Sequence, residues 1–289
     1  MNPKHFSRRD FVKTASLVTA GLGLNLNLKG CTSSKQRRLS EIGLQVSTIR
    51  AELAKDWQAA LKQVAEIGYN TLELGGTYGG LSIPEFKDFL SGIGLVSLAG
   101  GAAMSGLQES LAEIIDSSLA MGKTYIICYW PWTDSAENKT LDDWKMVAEK
   151  LNQIGEQVIK AGLEFTYHNH DIEFKITEDQ IPYNLLLDQT DPELVGMEID
   201  LYWNEKGNQK PIPYFEQYPG RFPLWHVKDM ENTPERSFAC VGEGIIDFPA
   251  IFAKADLAGM KHIFVEHDRP ENPMECARVS YQYLNQLRY

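Results

Sequence analysis

The sequence is short of cysteine pairs, of positive charge, of long apolar runs and of glycine-rich phosphate loops. Its four cysteines, Cys31, Cys128, Cys240 and Cys276, include no pair at a metal-ligand spacing such as C-x-x-C. Thiolate metal clusters therefore find no support, and Cys128, Cys240 and Cys276 are expected to act as small buried hydrophobes. An oxidising compartment would permit one disulfide among them, which spacing does not choose. Lys and Arg number 28 against 39 Asp and Glu, a net charge of −11. That balance leaves no face to track a phosphate backbone, which argues against nucleic acid as a partner. The longest mildly apolar stretch, Ala15 to Leu28, is broken by Thr19, Gly21, Gly23, Asn25 and Asn27 and is too short and polar to span a bilayer. No G-x-G-x-x-G occurs, which counts against a doubly wound dinucleotide fold. With 43% hydrophobic and 23% charged residues, the chain is neither disordered nor fibrous.

The N-terminus has a character of its own. Lys4, Arg8, Arg9, Lys13 and Lys29 stand against Asp10 alone, so the remainder is more acidic than the whole. A basic start, a short apolar run and a polar segment describe a secretory signal. Arg8-Arg9 before Asp10-Phe11 resembles a twin-arginine signal, and Leu28-Lys29-Gly30-Cys31 resembles a lipobox, whose cysteine would carry a lipid. Residues 1–31 are thus expected to be an export address to the periplasm, 32–38 a polar tether and 39–289 the folded domain. A lipid on Cys31 would be the chain's one membrane attachment.

From residue 41 onward, short apolar runs alternate with helix-period stretches. The expected strands are Glu41–Val46, Asn70–Leu74, Leu95–Ala99, Thr124–Tyr129, Glu164–His168, Val195–Asp200, Pro223–Lys228 and His262–Glu266. The clearest helix lies over 141–161, where Leu141, Trp144, Val147, Ala148, Leu151, Ile154, Val158 and Ile159 share a face. Ser82-Ile83-Pro84-Glu85 and Asn272-Pro273-Met274-Glu275 read as helix starts of the capping-box kind. Helices then end in Gly one or two residues before the next strand. Eight such strand–helix units predict an α/β fold, a closed (β/α)8 barrel.

Chemistry in such a barrel sits at the C-terminal ends of the strands. Those ends carry Gln45, Glu73, Trp130, His168-Asn169-His170, Glu198, Asp200, His226, Lys228-Asp229 and Glu266-His267-Asp268. Each alone has an ordinary reading, such as a buried histidine, a helix cap or an internal ion pair. Yet His168, Asp200, His226 and Glu266 end four consecutive strands, and so many buried polar groups call for a shared neutraliser. A divalent cation serves best. A nitrogen and oxygen donor set suits Mn, Zn, Co or Fe.

The segments Tyr167-His168-Asn169-His170, Glu198-Ile199-Asp200-Leu201-Tyr202-Trp203, His226-Val227-Lys228-Asp229, Gly242-Glu243-Gly244 and Val265-Glu266-His267-Asp268, in that order, resemble the sugar phosphate isomerase/epimerase family of xylose isomerase-like TIM barrels. The resemblance covers about residues 39–289. It implies a metal held by an acid on strand five, then Asp200, His226 and Glu266. At strand five this chain has His168 instead, so the resemblance implies that His168 replaces the acid, that His170 or Glu173 reaches the metal, or that the metal is held more weakly. The exchange is expected to favour Mn, Co or Zn over Mg, with His168→Glu restoring tolerance of Mg. After strand three, where relatives carry a His, stands Gly101-Ala102-Ala103-Met104, expected to widen the pocket.

The implied reaction is proton abstraction beside a carbonyl, completed as isomerisation or epimerisation, or by expulsion of a substituent as in a lyase or dehydratase. Glu266, His170 and Lys228 are the candidate catalytic groups. Gln45, Glu73, Trp130, Trp203 and Glu243 are candidate substrate contacts, with Trp132 a further ring that could stack on a sugar. Export and acidic charge point to an unphosphorylated sugar or glycoside. The rival reading is a periplasmic lipoprotein that binds carbohydrate without turning it over.

Overall fold

A computed structural model describes residues 37–133 and 139–289. The proposed signal and most of the tether lie outside the described residues. Eight parallel strands close a barrel: β1 (Gly43–Gln45), β2 (Thr71–Glu73), β3 (Val96–Ala102), β4 (Tyr125–Cys128), β5 (Glu164–His168), β6 (Gly196–Asp200), β7 (Leu224–Val227) and, after a short ribbon, β10 (His262–Val265). They neighbour one another in chain order, and β10 pairs with β1 to shut the ring. Each lies within one of the eight expected runs or, for β3, begins in it and continues to Ala102.

Around the ring run α1 (Arg50–Ile67), α2 (Ile83–Gly92), α3 (Met104–Met121), α4 (Leu141–Lys160), α5 (Pro182–Gln189), α6 (Leu201–Lys206), α7 (Pro211–Gln217), α8 (Phe248–Phe252), α9 (Ala255–Ala258) and α10 (Pro273–Gln286). The apolar stripe of α4 is buried through Leu141, Trp144, Val147, Leu151, Ile154 and Val158. Its start is fixed reciprocally: Thr140 N–H donates to Asp143, and Asp143 N–H donates to the Thr140 hydroxyl. Ser82 and Glu85 form the expected box on α2. Asn272 does not cap α10 with its side chain, and that start rests on Pro273 at the first turn.

Strand alternation decides what faces inward. On β7, Trp225 and Val227 join the outer core beneath the helices, while Leu224 joins Ala99, Tyr125, Ile127 and Phe264 in a small apolar plug inside the barrel. Two residues past Leu224 and Phe264 come His226 and Glu266, so the plug forms a floor under the polar groups. Gly100 and Gly101 on β3 sit where the strands crowd. A Cβ on Gly101 would lie 1.8 Å from the Ile127 carbonyl oxygen, and one on Gly100 2.0 Å from that of Leu74.

Two features depart from the sequence reading. The antiparallel ribbon of β8 (Asp229–Met230) and β9 (Phe238–Ala239) stands between β7 and α8, and just after it Cys240 is disulfide-bonded to Cys276 of α10. Cys128 alone remains a buried free thiol among the described residues. Arg37, assigned to the tether, belongs to the folded unit: its N–H donates to the Tyr289 carbonyl at 2.8 Å, and its guanidinium pairs with Asp256.

Candidate metal centre at the barrel mouth

The register brings the inward polar residues side by side: His168 pairs with Glu198 across β5–β6, and Asp200 with His226 across β6–β7. One ligand atom each from His168, Asp200, His226 and Glu266 lies within 4.8 Å of the others, and all four residues are buried. Nδ1 of His226 is 3.0 Å from Glu266 and 3.9 Å from Asp200. On the opposite edge of that ring, Nε2 is 2.9 Å from Glu73 and 3.4 Å from Glu198. Local bonds aim the acids. Asp200 accepts the Trp203 N–H at 2.8 Å and donates its own N–H to Asn169 at 3.1 Å. Glu266 accepts the Ser47 hydroxyl at 3.0 Å.

Lys228 is wholly buried, with Nζ 3.0 Å from Asp200, 2.7 Å from Glu266 and 2.8 Å from Asp268. Its partners are these three acids. Asp229, its neighbour in sequence, instead accepts the backbone N–H groups of Met230, Gly242, Gly244 and Ile246. Burial alone would lower the lysine, but Asp200, Glu266 and Asp268 outweigh it and raise its pKa, so Lys228 is a fixed cation. Burial would raise Glu266, and Lys228 and His226 hold it well below the carboxylate range. Burial pushes Asp200 up to about 6. It also lowers His170 to about 4, helped by the Lys228 charge, so the His170 ring is neutral at pH 7.

The donor set fits a divalent cation. It joins two imidazoles to two carboxylates at one point, and Asp200 keeps a buried carboxylate oxygen without a hydrogen bond. Glu173 is withdrawn from the strand-five choice, because its carboxylate accepts the Tyr167 hydroxyl at 2.5 Å and the His170 N–H at 2.8 Å. His170 stands beside the four converging residues, not among them.

Above this centre opens a cavity of about 450 Å3, lined in part by Gln45, Trp130, His168, His170, Trp203, His226, Lys228 and Glu266. His170 lies between the two indoles, its ring 5.3 Å from Trp130 and 5.6 Å from Trp203. Gln45, Trp130 and Trp203 therefore stand where the sequence reading put them. Three other contacts do not. Glu73 is fully buried beneath His226, because an inward side chain at the end of β2 meets the barrel interior before the cavity. Glu243 is exposed, in a separate cleft with Cys240 and Glu275, because the Asp229-held loop turns it outward. Trp132 packs on Trp144 at 4.5 Å. Residues 101–104 are not among those that line the cavity.

The sequence reading missed Tyr129, Ser47 and Arg50 on the cavity wall. Tyr129 follows β4 directly and could have been taken as a strand-end residue. Ser47 and Arg50 lie on the turn after β1, and nothing in their spacing marks them.

The described chain is thus a (β/α)8 barrel with a cluster of candidate metal ligands at the C-terminal ends of its strands. It belongs to the xylose isomerase-like TIM barrel family, whose model matches residues 61–287. A sugar phosphate isomerase/epimerase from Parabacteroides distasonis has a similar crystal structure, with TM-score 0.74 and 27% identity over 85% of this chain and 93% of that one. An inosose dehydratase from Geobacillus kaustophilus is 26% identical over 270 residues, 78% of this chain and 86% of the relative. One from Clostridium beijerinckii is 27% identical over 165 residues; that match spans only 55% of the relative's length.

Proposed function

We propose that this protein is a divalent-metal-dependent enzyme that removes a proton beside a carbonyl of an unphosphorylated sugar or glycoside, as a sugar isomerase or epimerase does. The convergence of His168, Asp200, His226 and Glu266 beside the buried Lys228 carries the reading. An ion held by those four residues would supply Lewis-acid polarisation of the carbonyl oxygen. Lys228 fixes positive charge where an oxygen gains negative charge. Glu266, held ionised, stands ready to take the proton, and the neutral His170 ring faces the cavity as a second acceptor. Trp130 and Trp203 offer faces to a sugar ring.

The dehydratase or lyase branch of the same chemistry is the second reading, favoured by the inosose dehydratases among the relatives. Incubation of the Mn-loaded protein with 3-keto-glycosides, inososes and free ketoses in heavy water separates the two. Deuterium beside the carbonyl with the skeleton retained marks isomerisation or epimerisation. Release of water or an aglycone marks elimination. No exchange and no product with any of them would leave a carbohydrate binder.

The metal assignment is tested by Asp200→Ala, which should lose the bound metal and most activity while keeping a barrel-like far-UV spectrum. Full metal content in that variant would sink the ligand set. Residues 1–31 are the proposed export address, with a lipid at Cys31. The Cys240–Cys276 disulfide supports an oxidising destination. Replacing Arg8 and Arg9 by Lys should hold the precursor in the cytoplasm, and unchanged export would refute the twin-arginine route.

A further inference from the structure

Glu198 precedes Asp200 by two residues on β6, so both point into the barrel, Glu198 one level deeper. It is fully buried, and its Oε2 lies 3.3 Å from Nδ1 of His168. Neither of those atoms has a hydrogen bond to any other group. An unmet buried donor or acceptor costs about 1–3 kcal/mol, so each is the other's available partner. The second imidazole shows the same arrangement. His226 turns Nε2 down to Glu73 at 2.9 Å and leaves Nδ1 facing Glu266 and Asp200. Glu73, Glu198 and His226 also come within 4.8 Å of one another. Nε2 already contacts Glu73, so that trio supports the ring and we assign it no second ion.

We propose that Glu198 is the positioning residue that makes His168 a metal ligand: it takes the Nδ1 hydrogen, fixes the tautomer and leaves Nε2 to bind the ion. The inference rests on the metal reading of the site. It also changes what the strand-five exchange means. Glu at position 168 would face the buried Glu198 carboxylate, two acids with no cation between them. His168→Glu alone should therefore bind metal worse than the natural chain, and adding Glu198→Leu should recover binding. Positions 168 and 198 act as one unit.

The test is Mn2+ titration calorimetry on the full chain, with melting of the ion-free proteins alongside. Glu198→Leu should weaken Mn2+ binding about 10–100-fold, the usual effect of removing a ligand's supporting partner. Glu198→Gln keeps an acceptor oxygen and should stay close to wild type. The ion-free Leu variant should still unfold cooperatively, with a melting point lowered by no more than the loss of one buried hydrogen bond. In a His168→Ala background, Glu198→Leu should cost clearly less, because only its 3.4 Å approach to His226 then remains. Equal losses in both backgrounds would overturn the proposal, as would wild-type binding by Glu198→Leu. A readout without mutation is the nitrogen-15 signal of His168 in the Zn2+-loaded natural protein. It should show Nδ1 protonated and Nε2 metal-bound, and metal at Nδ1 would overturn the assignment. If the natural chain binds no divalent ion, the metal reading falls and this inference falls with it. Binding by the natural chain with an indifferent Glu198→Leu removes this inference alone.

Discussion

Glu173 shows how one buried acid sets a pH dependence. Burial raises it from 4.5 to about 7, against the pull of the Tyr167 hydroxyl and of backbone N–H groups. A carboxyl raised in the folded state is stabilising while neutral, so its contribution is full below about pH 4.5 and drains away as pH climbs to about 7. The span corresponds to about 3 kcal/mol. Glu173→Gln should remove that fall, so the variant gains on the natural chain between pH 4.5 and 8 in urea unfolding. Parallel pH profiles would show that Glu173 does not ionise there. The roles of single residues were only partly legible in the sequence. His168, Asp200, His226 and Glu266 could be read as a set because each ends a neighbouring strand. Glu73 and Glu198 end or nearly end strands too, and spacing does not say which inward residue meets the cavity and which lies beneath it. Depth within the barrel comes from register, which a single sequence does not display.

The ribbon and the loop after it form the element with the greatest reach. Asp229 collects four backbone N–H groups from Met230, Gly242, Gly244 and Ile246, and Gly244 is the residue that lets the loop close on it. A Cβ there would lie 2.2 Å from the Asp229 carboxylate. Gly244→Ala should cost about 1–3 kcal/mol in urea unfolding, the usual penalty for forcing extra atoms into a filled space. A change within error would mean that the loop shifts freely. The strands and long helices were visible beforehand, since alternation and the α4 stripe repeat over several residues. The ribbon was not, because β8 and β9 are two residues each and too short for periodicity. The Gly242-Glu243-Gly244 segment suggested a substrate contact. Its structural purpose is the tie to Asp229, across 13 positions for Gly242 and 15 for Gly244, a pairing that no strand pattern announces.

For the molecule as a whole, the Cys240–Cys276 bridge closes a loop over 36 positions and fastens the ribbon side of the mouth to α10. Reduction should lower stability by about 2–4 kcal/mol, read as a drop in melting temperature with dithiothreitol. An unchanged melting point would show that the bridge constrains nothing in the unfolded chain. A chain starting at Gln36 should melt like the full one, whereas starting at Lys35 or earlier should add nothing; starting after Arg37 should lose the pairing with Tyr289 and Asp256. The overall architecture was readable because eight apolar runs at regular intervals leave few alternatives. The pairing of β1 with β10 has a further consequence. Ser47 and Glu266, joined across that seam, stand 219 positions apart in the chain. On the ribosome the early strands must wait with an open edge until nearly the last residues emerge, and contacts so distant in sequence make for slow, late folding. Glu266 is also the last member of the metal-ready group to be synthesised. On the proposed metal reading, an ion would find its four ligands together only after that residue has emerged, so the supply of metal in the compartment where folding ends would decide which one is taken.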